Sequence, residues 1–156
     1  MANTKLFKFE DLGENFAKFY RELGAGNSCS VFGVQNSMRP AMVSNIGKRV
    51  LYLTADGVTA NFVKEQFELM GMKTSLFPAV QDSFLYKRAQ SNEIYVNRTK
   101  TLFDILCKNF EVVVAPIEAL FSFLPSIKDF SSHVLKLQEG QNIAIEEIES
   151  KLVEAG

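Results

Sequence analysis

The sequence predicts an α/β domain in which a mostly parallel sheet carries helices on both faces. Two observations predict this class: four short apolar segments typical of buried strands, and helical patterns that separate them along the chain. Strands that alternate with helices favour parallel pairing, because each crossover returns the chain to the same end of the sheet. The chain has 156 residues, 47% of them hydrophobic. At this length folding hides roughly 68 to 70% of the unfolded surface, enough for a core without a disulfide or metal.

The first helix is predicted over residues 7–23, followed by a first strand over residues 29–34. Apolar side chains recur in the helix with a period of about 3.6 residues: Leu12, Phe16, Phe19, Tyr20 and Leu23. The run GAGN at 24–27 ends the helix. The strand is short and apolar, and it ends near Gly33.

Three further strands are predicted at residues 50–55, 74–77 and 110–115, the last of them rich in valine. The clearest helix is predicted over residues 57–70. Asp56 precedes it as an N-cap and Gly71 follows its end. Its apolar face is predicted to comprise Phe62, Val63, Phe67 and Met70. Another helix is predicted from Asn92 to Lys108.

The pattern changes after Pro125, which indicates two domains, residues 1–128 and the beginning of a second small α+β domain at 129–156. A strand at 134–137 and an acidic amphipathic helix from Asn142 onward are predicted there. The helix carries an apolar stripe of Ile145, Ile148 and Leu152, with Glu146, Glu147 and Glu149 elsewhere. We interpret the stripe as a core face, with a partner-binding helix as the alternative.

Composition excludes several classes of function. The formal net charge is -1 and no basic run occurs, so the positive field of a duplex-DNA binder is missing. Cys29, Cys107 and the single histidine, His133, are too dispersed for a zinc site. Isolated cysteines are typical of buried thiols in a reducing compartment, and no apolar run reaches the ~18 residues of a membrane span. We therefore expect a cytoplasmic protein.

Residues 33–40 occupy the place of a phosphate-binding loop, between a predicted strand and a helix. Compared with the pattern G-x-x-x-x-G-K-[ST], the segment GVQNSMRP keeps Gly33 but has Met38, Arg39 and Pro40 at the other fixed positions. Met38 prevents close backbone approach to phosphate, and Arg39 replaces a compact ammonium with a wide fork. Pro40 lacks both the hydroxyl that ligates magnesium and a backbone N–H.

The degenerate loop, which also contains Ser37, is therefore predicted to begin a helix without gripping a triphosphate. Proline suits the first turn of a helix. The alternative is that Gly33 is only a tight turn after a strand and that the comparison is fortuitous.

Other charged residues give no catalytic pattern. Five carboxylates could form pairs, but no base, nucleophile or metal ligand lies at a suitable spacing: Asp82, Glu93, Asp104, Glu111 and Glu118. We interpret them as solvated charges. Arg98 is interpreted as a surface or salt-bridged residue, with a partner contact as the alternative, and His133 as a structural residue at a strand start. The strand at 110–115 leads into Pro116 without an acid, unlike a Walker B strand.

Five segments, in this order and spacing, resemble the N-terminal region of bacterial transcription-repair coupling factors (Mfd): GVQNSMRP (33–40), VLYLTAD (50–56), FP (77–78), SNEIYVNR (91–98) and FEVVVAPIEAL (110–120). The resemblance covers essentially the whole chain. It implies a degenerate P-loop fold (RecA/UvrB-like), similar to the front of the UvrB helicase, that has lost its ATP motifs. LQEGQ at 137–141 and the helix after it resemble the beginning of that family's UvrA-binding domain.

The resemblance also implies a function: a non-catalytic module that uses no cofactor and helps to recruit UvrA to stalled RNA polymerase. UvrA contact is expected mainly through an arginine-bearing β segment, preceded by a tyrosine, that follows Gly156. RNA polymerase and DNA are expected to bind other domains of a parent protein that resembles an ATP-dependent DNA translocase. The alternative is an independent small-ligand or nucleotide-binding α/β domain or enzyme, which a polar pocket at the carboxyl ends of the strands would favour.

Overall fold

A computed structural model describes residues 9–80, 92–135, 137 and 139–155. The chain divides into two compact units, residues 1–122 and 123–156. The first contains α1 (Glu14–Gly24), α2 (Met38–Ser44), β1 (Val50–Thr54), α3 (Gly57–Leu69), β2 (Thr74–Leu76), α4 (Asn92–Leu106) and β3 (Val112–Pro116). Short 3-10 turns lie at Phe9–Leu12 and Ile117–Phe121. The second unit contains α5 (Ile127–Ser132) and α6 (Ile145–Ala155).

The sheet of the first unit has three strands in the order β1-β3-β2, and both pairs are parallel. Val112 lies opposite Val50 on one side and Thr74 on the other. All five residues of β3 are buried, because it is the central strand and has neighbours on both edges and both faces. The predicted α/β class with a parallel sheet is confirmed.

Each face of the sheet carries its own apolar cluster. On one face Val112 and Val114 pack with Ala60, Val63 and Phe67 of α3. On the other face a second cluster is formed by Val113, Ala115, Phe77 and Ala119, with Leu102 of α4 against it. The alternation follows from the two-residue period of a strand, so helices cover both faces, as predicted.

Helix α3 matches its prediction closely. The Asp56 carboxylate accepts a hydrogen bond from the Thr59 backbone N–H at 2.7 Å, and Gly71 has a φ of 75° just past the end. Asp56 therefore supplies the N-cap and Gly71 supplies the left-handed residue that ends many helices. One assignment on this helix is wrong: Phe62 is 49% exposed, whereas Phe67 is fully buried.

The strand predicted at residues 29–34 is not formed. These residues have irregular backbone, the Phe32 side chain is 89% exposed, and Gly33 has a φ of 73°. The prediction depended on a short apolar run, and such a run becomes a strand only where a neighbouring strand completes its hydrogen bonds. β1 and β2 each end one residue earlier than predicted, and β3 begins two residues later and ends one residue later than predicted.

The second unit differs from its prediction in two ways. Residues 134, 135 and 137 are irregular, so the strand predicted at 134–137 is wrong for these positions, and Lys136 lies outside the described residues. Helix α6 begins at Ile145 and not at Asn142. On this helix the side chains of Ile145 and Leu152 are exposed. Their stripe is therefore not a core face within the part of the chain that the structure describes.

Across the described ranges, no helix combines the length and the apolar character that crossing a bilayer requires.

Candidate functional site

The loop at residues 33–40 folds as a turn that leads into α2. Gly33 adopts a left-handed conformation that a side chain would strain. The Met38 backbone N–H donates to the Gln35 carbonyl at 3.0 Å, and Pro40 is buried in the first turn of α2. The prediction that this loop begins a helix is confirmed.

Two donors of this loop are used within the loop itself. Besides the Met38 N–H, the Arg39 Nε donates to the Val34 carbonyl at 3.3 Å. Ser37 precedes α2, but its hydroxyl makes no capping hydrogen bond to the helix. A phosphate-binding loop instead turns its backbone amides and its cation toward the anion.

An open groove of about 500 Å³ lies between this loop and the carboxyl end of β1. Asn36 and Arg39 line it from the loop, Tyr52 and Thr54 from β1, and Val58 and Phe62 from α3. Ligands of open parallel sheets bind outside the carboxyl ends of the strands. The groove is therefore the candidate functional site.

The N-terminus of α3, which borders this groove, already holds an anion from the chain itself. The Asp56 carboxylate accepts from the Thr59 N–H at 2.7 Å and from the Thr59 hydroxyl at 3.0 Å. The hydrogen bond from the Thr59 backbone N–H is the main cause of the lowered pKa of Asp56. A phosphate approaching these amides would meet a carboxylate in the position it needs.

Tyr52 gives the groove a neutral polar group. Burial raises the pKa of Tyr52, and the Arg39 guanidinium opposes this effect. The Tyr52 ring packs edge-on against Phe67, with centroids 5.5 Å apart. The phenol thus stays protonated at neutral pH and offers one donor beside an apolar wall.

Because the Asp56 cap ionises, we expect the stability of the protein to depend on pH through this residue, and we expect Asp56→Asn to remove that dependence. Because the folded pKa is lowered, the ionised cap contributes stability above the unfolded pKa of about 3.9, and this contribution is lost as pH falls through the folded pKa. Asparagine caps helices about as well but does not ionise. We expect Asp56→Asn to melt below the wild type at pH 7 and the difference between the two melting temperatures to be smaller at about pH 3. A difference of the same size at both pH values would contradict this role.

Arg98 is buried, so its interpretation as a surface or salt-bridged residue is wrong. Its guanidinium lies 4.0 Å from the centroid of the Phe77 ring. It donates to the Pro78 carbonyl at 2.7 Å and to the Ser122 hydroxyl at 2.5 Å. Burial is the main cause that lowers the pKa of Arg98. Arg98 thus joins the segment after β2 to the turn after β3, a role that spacing along one helix does not reveal.

Two of the carboxylates of the sequence prediction accept hydrogen bonds from residues that are distant in the chain. Asp104 accepts from the Ser75 hydroxyl at 2.8 Å, and Glu111 accepts from the Lys73 backbone N–H at 2.8 Å. Both are half-buried, so they are not simply solvated charges. Glu93 and Glu118 are exposed, as interpreted, and Asp82 lies outside the described residues.

His133 and the cysteines also differ from their interpretations. His133 follows α5 as its C-cap and does not begin a strand, and its ring Nδ1 lies 2.7 Å from the Asp129 carbonyl oxygen. Cys107 is exposed and Cys29 is half-buried, so neither is a core thiol. Within the described ranges, no group of three His, Cys, Asp or Glu side chains is arranged to hold a metal ion.

These elements define a small parallel α/β domain with a groove at the carboxyl end of an edge strand. Comparisons with protein-family models, with curated proteins and with solved structures found no match.

Proposed function

We propose that this chain is the N-terminal, non-catalytic module of a transcription-repair coupling factor, which helps to recruit UvrA in nucleotide excision repair. One observation carries the proposal: beside this groove, two donors of the loop and the amino end of α3 already have partners from the chain itself. The Met38 N–H and the Arg39 Nε bond within the loop, and Asp56 occupies the amino end of α3. The resemblance implies a UvrB-like fold that has lost its ATP motifs, and internally bonded loop donors support that interpretation.

The positions of the resembling segments support this proposal. VLYLTAD at 50–56 forms β1 and the cap of α3, and VVVAPIEAL at 112–120 forms the central strand and most of the turn after it. GVQNSMRP at 33–40 forms the turn into α2. The segments thus provide two of the three strands, β1 and β3, and the degenerate loop, which are parts that a UvrB-like module would retain. In this proposal the fold is the RecA/UvrB type, residues 129–156 begin the UvrA-binding domain, and the protein acts in the cytoplasm.

The partners follow from the same proposal. UvrA binds mainly through the region after Gly156, and RNA polymerase and DNA bind other domains of the parent translocase. The segment itself contributes no broad positive field, because its formal net charge is -1. It acts as a scaffold without a cofactor of its own.

UvrA binding tests the proposal directly. We expect residues 1–156 to bind UvrA at least tenfold, about 1.4 kcal/mol, more weakly than a longer version of the parent that includes the whole following domain. The reason is that the principal contacts are proposed to lie on the arginine-bearing segment. Surface plasmon resonance with one UvrA preparation measures both, after circular dichroism has shown that each is folded. Equal affinities would place the contact within residues 1–156, and absence of binding by both would contradict the repair assignment.

A second candidate function is favoured by the groove itself. Its volume of about 500 Å³ and its mixed lining, with Arg39, Tyr52 and Thr54 beside Val58 and Phe62, suit a small ligand. An independent ligand-binding domain or enzyme would use this groove. Binding of a nucleotide there would favour this alternative over the scaffold.

A further inference from the structure

The outer edge of β2 offers backbone groups to a further strand. On the inner side, the Lys73 carbonyl accepts from the Glu111 N–H and the Phe77 N–H donates to the Val114 carbonyl, both at 2.8 Å. Backbone groups of alternate residues point to opposite edges of a strand. Those of Thr74 and Leu76 therefore point away from β3.

Among the described residues, one of these four outward groups has a hydrogen-bond partner and three have none. The Leu76 carbonyl accepts from the Thr101 hydroxyl at 2.6 Å. The Thr74 N–H, the Thr74 carbonyl and the Leu76 N–H have no hydrogen-bond partner in the ranges that the structure describes. Donors and an acceptor thus alternate along a single edge.

A polar cleft of about 630 Å³ lies beside this edge and is lined by α3 and α4. Asn61 and Lys64 line it from α3, and Asn97 and Lys100 from α4. The side chains of the two asparagines can both donate and accept, so they suit a second peptide backbone.

The cleft also has positive charge that no carboxylate of the described residues pairs. Glu68 is paired with Lys64 at 2.7 Å, and Asp104 accepts from the Ser75 hydroxyl. The ammonium groups of Lys73 and Lys100 have no carboxylate partner among the described residues. Lys73 instead donates to the Asn109 side-chain oxygen at 3.2 Å.

We propose that this cleft binds an extended acidic peptide, which adds to β2 as a further strand and places a carboxylate beside Lys100. Strand addition uses main-chain hydrogen bonds for affinity and neighbouring side chains for selectivity. A nucleic-acid backbone fits less well, because phosphates supply only acceptors and would leave the Thr74 carbonyl unpaired. This inference is independent of the proposed UvrA function, since it concerns a different edge of the sheet from the groove at β1.

The test uses a short capped peptide of alternating glutamate and valine, with its lysine-valine counterpart as the comparison. We expect the acidic peptide to shift the backbone amide resonances of Thr74 and Leu76 and to slow their hydrogen exchange. At Lys100 the acidic peptide gains an ion pair, whereas the basic peptide meets a like charge. Together these two effects predict that the acidic peptide binds about fivefold more tightly than the basic one. Shifts confined to the groove at Arg39 and Tyr52, or equal binding of both peptides, would overturn the proposal.

Two variants with matched controls sharpen this test. Thr74→Pro removes an outward N–H but no ladder hydrogen bond, and proline is tolerated at the first position of an edge strand. We expect Thr74→Pro to weaken binding of the acidic peptide about tenfold, which corresponds to a lost backbone hydrogen bond of about 1.4 kcal/mol. Thr74→Val keeps the N–H and is expected to bind the peptide as tightly as the wild type. Lys100→Glu is expected to reverse the preference between the peptides, and Lys18→Glu on α1 is expected to leave it unchanged.

Each outcome of these variants decides the proposal. If Thr74→Pro does not fold, the reversal by Lys100→Glu still supports strand addition, and an unchanged preference overturns it. A single-stranded oligonucleotide that shifts the Thr74 and Leu76 amides at lower concentration than the acidic peptide also overturns it.

Discussion

Phe67→Ala is expected to lower the free energy of unfolding of the first unit by about 4 kcal/mol, the range for a fully buried phenylalanine. Phe67 has no exposed surface and lies in the cluster between α3 and the sheet. The Tyr52 ring, 5.5 Å away, would lose its edge-on partner as well. Urea denaturation followed by far-UV circular dichroism measures the change.

Phe62→Ala is the matched control, because it makes the same substitution on the same helix. Phe62 is half-exposed and lies outside the cluster that contains Phe67. We expect it to cost about 1 kcal/mol or less. If the two variants were equally destabilised, the assignment of the buried face of α3 would be wrong.

Arg98→Ala is expected to destabilise the first unit by about 3 kcal/mol. The substitution leaves the Pro78 carbonyl and the Ser122 hydroxyl without their charged donor and removes the cation from the Phe77 ring. Arg98→Lys should recover less than half of this loss, because an ammonium cannot reproduce the planar fork that reaches both acceptors. The same urea denaturation measures both variants.

Arg49 provides the control for Arg98. It also lies over a phenylalanine ring, that of Phe110, but at 5.7 Å and in an exposed position. Exposed pairs of this kind contribute about 0.5 to 1 kcal/mol, so Arg49→Ala should have a small effect. A loss at Arg98 no larger than that at Arg49 would show that the buried hydrogen bonds do not hold the turn after β3.

Elements with strong local signals could be predicted from the sequence. The valine run became the central strand, because such a run is stable where both faces are covered. Helix α3 was predicted nearly to the residue, because its cap and its terminal glycine act over a few neighbouring positions. Residues 29–34 show the limit: their apolar run is visible in the sequence, but the absence of a pairing strand is not.

The candidate site was predicted in part for the same reason. The departures of Met38, Arg39 and Pro40 from a phosphate-binding pattern are local and can be read directly. The groove between this loop and β1 depends on residues far apart in the chain, as do the contacts of Arg98 with Pro78 and Ser122. Such contacts arise from the packing of the whole unit, so residue spacing alone does not reveal them.

Titration of residues 1–156 with Mg-ATP by isothermal calorimetry tests the central claim most directly. The claim is that the groove at β1 has no working phosphate site, because two donors of the loop are used internally and Asp56 occupies the amino end of α3. We expect no binding tighter than about 1 mM, which corresponds to roughly 4 kcal/mol. Tighter binding of Mg-ATP that Arg39→Ala abolishes would contradict the claim and favour a ligand-binding groove.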